Sequence, residues 1–234
     1  MCFGWKRSQR PLIGCAWWQE PLQRATEKWR AAFPEKAVRA FRHESFCSGS
    51  MGETIRLKAL GVDFVTTSAS DLKTSSRAFL KIATGAEHVF VNMGCQWELG
   101  GLCTKHLAHC VVEPIRPDIA VGGLPCQPFS RMHHRSGLGP RGSEPEEHPG
   151  YQTVMEIFFV YLENRRPLSF AIEEAFSFLE ASASGERYLD MFVERCIQQG
   201  YATRVLVLDH ADWSEMPRKR RCCSISFELR SISP

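Results

Sequence analysis

The stretch ESFCSGSMGETIRLKALGVDFVTTSASDLKTSSRAFLKIATGAEHVFVN (residues 44–92) decides the fold class. It opens with the end of a strand, Glu44 to Cys47, followed by a turn through Ser48, Gly49, Ser50, Met51 and Gly52. A helix is expected over Glu53 to Leu60 and a second strand over Val62 to Thr67. A second helix follows from Asp71 to Ala83, with Asp71 as its N-cap, then a third strand from His88 to Asn92. Short apolar runs that alternate with longer amphipathic ones mark an α/β chain whose strands pair in parallel.

The same rhythm extends outward. Upstream, Glu20 to Lys36 has helical spacing, and residues 1–40 are read as an N-terminal helical extension of the domain that occupies 41–232. Downstream, Met93 to Ile115 is a Cys/His-rich connection, and Pro117 to Gly122 is a β-branched, apolar fourth strand. Tyr151 to Asn164 carries apolar residues at 154, 157, 158, 161 and 162, the stripe of a helix, and Leu168 to Glu173 makes a fifth strand. Arg187 to Gln199 is a further helix, stopped by Gly200, and Thr203 to Asp209 and Cys222 to Leu229 are strands suited to antiparallel pairing at a sheet edge. The expected fold is a doubly wound, mixed but mostly parallel sheet with an antiparallel edge strand.

Charge and cysteine content narrow the function classes. Twenty-nine Lys and Arg against 26 Asp and Glu leave a net charge of +3, which permits nucleic-acid binding without the charge of a dedicated polycation. Ten cysteines in 234 residues fall short of the density of a disulfide scaffold and read as reduced thiols. No apolar run reaches the length of a membrane span, so a soluble intracellular protein, nuclear or cytoplasmic, is expected.

Ligands of open α/β sheets bind beyond the carboxyl ends of the strands. Beyond the first strand lies the glycine-bearing turn Phe46 to Gly52, which lets backbone approach a ligand but lacks the dinucleotide spacing G-x-G-x-x-G. Beyond the fourth lies Gly123-Leu124-Pro125-Cys126-Gln127-Pro128-Phe129-Ser130, where prolines on both sides stiffen a loop holding one thiol at the sheet edge. The fifth strand ends in Ile172-Glu173-Glu174. A thiol beside a carboxylic acid suits covalent catalysis, in which a thiolate adds to an electrophilic ring while the acid protonates that ring.

These segments, in this order, resemble the C5-cytosine methyltransferases that use S-adenosylmethionine. Gly123 to Ser130 is similar to the family's Pro-Cys-Gln nucleophile loop, and Gly137 to Ser143 looks like its Pro-Arg-Gly block. Pro167 to Ala175 resembles the strand ending in Glu-Asn-Val, Met216 to Arg221 the block Pro-Gln-x-Arg-x-Arg, and Glu44 to Gly61 the cofactor-binding first block. The resemblance covers roughly residues 42–229. It implies that Cys126 attacks C6 of a flipped-out cytosine, that Glu173 holds and protonates N3, and that Arg220 contacts the base or its phosphate. It implies S-adenosylmethionine as cofactor, with Phe46, Gly49, Gly52, Asp71, Asn92 and Pro125 around it, and Gln127, Ser130 and Arg218 on the substrate side. The macromolecular partner it implies is DNA, with tRNA as the alternative, and no metal is implied.

The sequence departs from the family's pattern at six positions. Glu174 and Ala175 replace the Asn and Val of Glu-Asn-Val, so a second carboxylate is expected beside Glu173. Ala69 stands where the family has an acidic ribose contact, with Asp71 two residues on, and Asn92 replaces an acidic adenine contact. Arg218 and Cys222 align with the Gln and the second Arg of the later block. The sequence is also read as lacking a target-recognition domain and the family's last blocks, which a second chain or the Trp17 to Lys36 segment would supply unless the protein is a remnant. A catalytically inactive scaffold that binds nucleic acid or a partner methyltransferase therefore stands beside the active enzyme as a reading.

Cys95, Cys103, His106, His109 and Cys110 are residue types that suit zinc, but C-x7-C-x2-H-x2-H-C is not a finger pattern, and ordinary thiols and surface histidines are expected. His133, His134 and Arg135 follow the nucleophile loop, where their charge would meet a phosphate or simply be solvated.

Overall fold

The computed structural model describes residues 19–32, 39–97, 99–129, 145–181, 185–209 and 220–228. The chain divides into two compact units. One comprises residues 1–40 and 52–63, the other 41–51 and 64–234. In the first, helices α1 (Gln19–Ala32) and α2 (Gly52–Ala59) are joined by a hydrogen bond of 2.8 Å from Gln23 Nε2 to the Ala59 carbonyl. α2 ends in a left-handed Gly61 (φ +63°), with Val62 N donating to Leu57 O and Gly61 N to Lys58 O. That pair of bonds satisfies carbonyls that the helix end would otherwise leave open.

The second unit holds a seven-stranded sheet in the order β3-β2-β1-β6-β7-β9-β8. Its strands are β1 (Phe41–Phe46), β2 (Phe64–Ser70), β3 (His88–Phe90), β6 (Ile119–Gly123), β7 (Ser169–Ala175), β8 (Tyr201–Asp209) and β9 (Arg220–Glu228). The first five pair in parallel, while β9 runs antiparallel to both of its neighbours and lies second from the edge, inside β8. A separate antiparallel hairpin, β4 (Gly101–Cys103) and β5 (Ala108–Cys110), follows β3.

Strand register separates two faces, because paired residues point the same way and successive residues alternate. On one face, Phe46, Ala120, Phe170 and Ile172 join the main core beneath α4 (149–165) and α5 (Tyr188–Gln198). On the other, Ala69 and Val89 meet Leu80 of α3 (Thr74–Ala83) in a smaller cluster. α4 is not a plain helix: Pro149–Gln152 and Phe158–Arg165 flank the π turn Thr153–Ile157. Its last turn sends Arg165 to a buried ion pair with Glu44 of β1, which also accepts from Tyr161 Oη at 2.6 Å and Thr67 Oγ1 at 3.2 Å.

Two expectations about local structure are corrected. Asp71 does not cap α3. The helix begins at Thr74 with Lys73 as its N-cap residue, while Asp71 accepts from Lys73 N at 2.7 Å and from Gly49 N at 2.8 Å. The carboxylate thus satisfies backbone donors of two loops instead of a helix end. Nor does β7 stop at Glu173: it runs to Ala175, so Glu173 and Glu174 are strand neighbours on opposite faces and not a carboxylate pair.

Candidate active site

The carboxyl ends of β1, β2, β3, β6 and β7 form one edge, and most of the expected site residues gather along it. β1 ends in Phe46 and turns through Cys47 (φ +49°), Gly49 (φ +52°) and Met51 (φ +48°). The turn is tied to β2 by Ser48 N and Ser48 Oγ, both donating to the Ser70 carbonyl at 2.9 and 3.0 Å, and by the Asp71 carboxylate on Gly49 N. A Cβ on Gly49 would meet nothing within 4 Å, so the backbone here is open to an approaching ligand. Asn92, exposed, stands beyond β3 and takes a hydrogen bond from Cys95 Sγ at 3.5 Å.

Beneath this edge lies a polar network that the sequence does not announce. Gln96 is fully buried; its Nε2 donates to the Ser45 carbonyl at 3.0 Å and to Ser68 Oγ at 2.7 Å, and its Oε1 accepts from Ser70 Oγ at 2.5 Å. A glutamine in a loop carries no periodicity, so only the tertiary fold reveals that it crosslinks β1 and β2.

Cys126 lies half-buried in the loop that follows β6. Phe129 N closes the turn onto the Cys126 carbonyl at 3.2 Å, and the Phe129 ring is buried among Tyr151, Phe178 and Tyr188. Ser177 Oγ donates to the Phe129 carbonyl, fastening the same loop to the segment after β7. Pro125 packs against Gly150, where an added Cβ would stand 3.2 Å from Pro125 Cβ. Gln127 is exposed in the turn.

Glu173 is opposite Gly123 in the β6–β7 register, and its Oε2 lies 3.6 Å from where a Gly123 Cβ would be. That distance places the carboxylate alongside the start of the Cys126 loop. Arg220 opens β9, and its neighbour Arg221 pairs with Ala175, so the register brings the basic pair to the end of β7 where Glu173 lies. Ser130, Arg218 and the segments Gly137 to Ser143 and His133 to Arg135 lie outside the described residues.

A second thiol, Cys47, shares the edge. Burial, reinforced by the negative charges of Asp71 and Glu174, pushes it up to about 12, so it stays protonated at neutral pH and is a poor nucleophile.

Phe46 has no exposed surface: its ring fills the space that Gly122 leaves beside it and packs on Phe158 and Tyr161. Gly52 opens α2. The open part of the edge fits a nucleoside-bearing cofactor: open backbone at Gly49, an exposed amide at Asn92, and Asp71 after the strand between them. Each Asp71 oxygen, engaged by one backbone donor, retains acceptor capacity. A shallow cavity of about 310 Å³, lined by Tyr151, Glu156, Met191 and Arg195 among others, lies over α4 and α5 and offers no such grouping.

A sheet in this order, with one antiparallel strand next to its edge, is the Rossmann-like methyltransferase fold. The chain is 32% identical over 110 residues to the Type II methyltransferase M.AgeI of Thalassovita gelatinovora, a match that covers 47% of this chain and 23% of that protein. Two solved structures share the fold. The S. pombe Dnmt2 methyltransferase superposes with a TM-score of 0.53 at 12% identity, over 80% of this chain and 51% of that one. A mutant of Spodoptera frugiperda DNMT2 gives 0.53 at 14% identity, over 83% and 52%. The chain thus spans about half the length of these structures. No family model matches it. No helix among the described residues is long and apolar enough to cross a membrane.

Proposed function

We propose that the chain transfers a methyl group from S-adenosylmethionine to C5 of cytosine in DNA through a covalent adduct on Cys126. The observation that carries this reading is the convergence of three strand ends: the Cys126 loop after β6, Glu173 on β7 and Arg220 at the start of β9. A nucleophilic thiol, a carboxyl group and a cation within one sheet edge are what addition to a cytosine ring requires. The Cys126 sulfur bonds C6, and Glu173 holds N3 and gives it a proton, which leaves electron density at C5. S-adenosylmethionine, when bound, supplies an electrophilic methyl group. Once C5 carries the methyl group, its proton passes to water, the C6–S bond breaks to free the Cys126 thiolate, and N3 returns its proton to Glu173. Asn92, Asp71 and the Gly49 backbone hold the cofactor, and Arg220 meets the base or its phosphate. The cytosine must leave its stack to reach this edge.

DNA containing 5-fluorocytosine tests the reading, because fluorine at C5 blocks the final elimination. Incubation with S-adenosylmethionine is expected to trap the chain on that DNA, and Cys126→Ala is expected to abolish both trapping and 5-methylcytosine formation. Methylation by the Cys126→Ala variant would overturn the mechanism. Binding of DNA with neither trapping nor transfer would support the scaffold reading instead.

A further inference from the structure

The Cys/His-rich connection after β3 folds into a constellation that the order of residues in the chain does not reveal. His88 of β3, Cys103 of β4, His106 of the hairpin turn and Cys110 of β5 each offer one ligand atom, and these four atoms lie within 4.8 Å of one another. Cys95 and His109, the other members of the sequence cluster, are not in the group. We propose that His88, Cys103, His106 and Cys110 bind a zinc ion in tetrahedral Cys2His2 coordination.

The donor set is two imidazoles and two thiols, the chemistry that selects zinc over harder divalent cations. Ligand atoms about 2.0–2.3 Å from a tetrahedral zinc stand roughly 3.3–3.8 Å apart. His106 Nδ1 and Cys110 Sγ are already separated by 3.3 Å, and a contraction of about 1 Å brings a 4.8 Å pair into the same range. The His88 and His106 rings stand edge to face with centroids 5.2 Å apart. His88 Nδ1 is buried and has no hydrogen-bond partner among the described residues, so a bond from that nitrogen to a metal would satisfy it.

The backbone is arranged for such a site. Cys103 and Cys110 lie on one face of the β4–β5 hairpin, because Cys110 pairs with Gly101, two residues before Cys103. The turn between them passes through a left-handed Leu107 (φ +56°), whose N–H returns to the Cys103 carbonyl at 2.8 Å. Cys103 Sγ accepts from Val89 N at 3.4 Å, the outer-shell N–H that steadies a metal-bound thiolate. Thr104 donates to the Val89 carbonyl through both N at 2.7 Å and Oγ1 at 3.0 Å, fixing the hairpin against β3. Zinc binding would release two protons, one from each thiol, and join the hairpin to the edge strand of the sheet.

The proposal does not rest on methyl transfer, and its test needs no substrate. The full chain, purified under a non-thiol reductant, is titrated with cobalt(II) and with zinc. One ion per chain is expected, with the tetrahedral d–d absorption and the thiolate-to-cobalt charge transfer of a two-thiolate site, displaced by zinc. Cys110→Ser and His106→Ala, at half-exposed and exposed positions, are expected to weaken binding about tenfold or more, while Cys95→Ser and His109→Ala bind as the unaltered chain does. The cobalt spectrum of the unaltered chain stands even where a variant fails to fold. An octahedral spectrum, substoichiometric metal, a Cys103–Cys110 disulfide that persists under the reductant, or undiminished binding in Cys110→Ser would each overturn it.

Discussion

Phe46 and Gly122 face each other across β1 and β6 so closely that a Cβ on residue 122 would stand 2.0 Å from the Phe46 ring. One position further, the same addition at Gly123 meets Glu173 Oε2 at 3.6 Å and the Cys47 carbonyl at 3.9 Å, both ordinary contacts. Gly122→Ala should therefore destabilise the fold by about 1–3 kcal/mol or more, since the ring has no free volume to move into. Gly123→Ala should leave the urea midpoint nearly unchanged. Equal midpoints for the two variants would contradict this packing.

Glu44 and Arg165 form an ion pair with almost no solvent access. Removing one partner strands the other's charge, so Arg165→Met or Glu44→Leu alone is expected to cost about 3–5 kcal/mol. Replacing both with apolar residues should recover much of that loss, measured as a coupling energy in a double-mutant cycle of urea unfolding.

His43 is buried in β1, with its Nδ1 3.1 Å from Thr66 Oγ1, and burial lowers its pKa from 6.5 to about 4. The unfolded chain therefore binds a proton that the folded chain refuses between these values. Stability contributed by the neutral ring is present above about pH 6.5 and is lost as pH falls through about 4, to a limit of about 3 kcal/mol. The pH dependence of stability of His43→Gln, compared with that of the unaltered chain, should be flatter by that amount across this window.

Cys47 and Cys196 both have thiols pushed up to about 12 by burial. At pH 8 about one in 10⁴ of each is thiolate, against about one in four for an ordinary thiol. Iodoacetamide on the folded chain should label both roughly a thousandfold more slowly than after unfolding in urea. Mass-spectrometric mapping of the labelled peptides checks this.

How much of this was legible in the sequence depended on how local each signal was. The strand-helix rhythm of residues 44–92 and the Pro-flanked Cys126 loop are short-range patterns, and the structure places each near its expected position. Strand length is set by pairing: β9 continues opposite β7 as far as Ala175, so the local sequence could not show that Glu173 and Glu174 point to opposite faces. The burial of the Phe46 ring was not legible, because the residue that makes room for it, Gly122, lies 76 positions away. His88 escaped the Cys/His cluster for the same reason, since only the placing of the hairpin beside β3 brings it to Cys103.

The placement of β9 between β7 and β8 sets an order of assembly. β8 leaves the ribosome first, yet the strand it pairs with, β9, begins only at Arg220. Until then the β7 edge is open, and β8 has no partner in the sheet. Among the described strands, β9, which begins at Arg220, is thus the last to be made. Pairing of β8 into the sheet and the placing of residue 220 beyond the end of β7 therefore wait on the same strand.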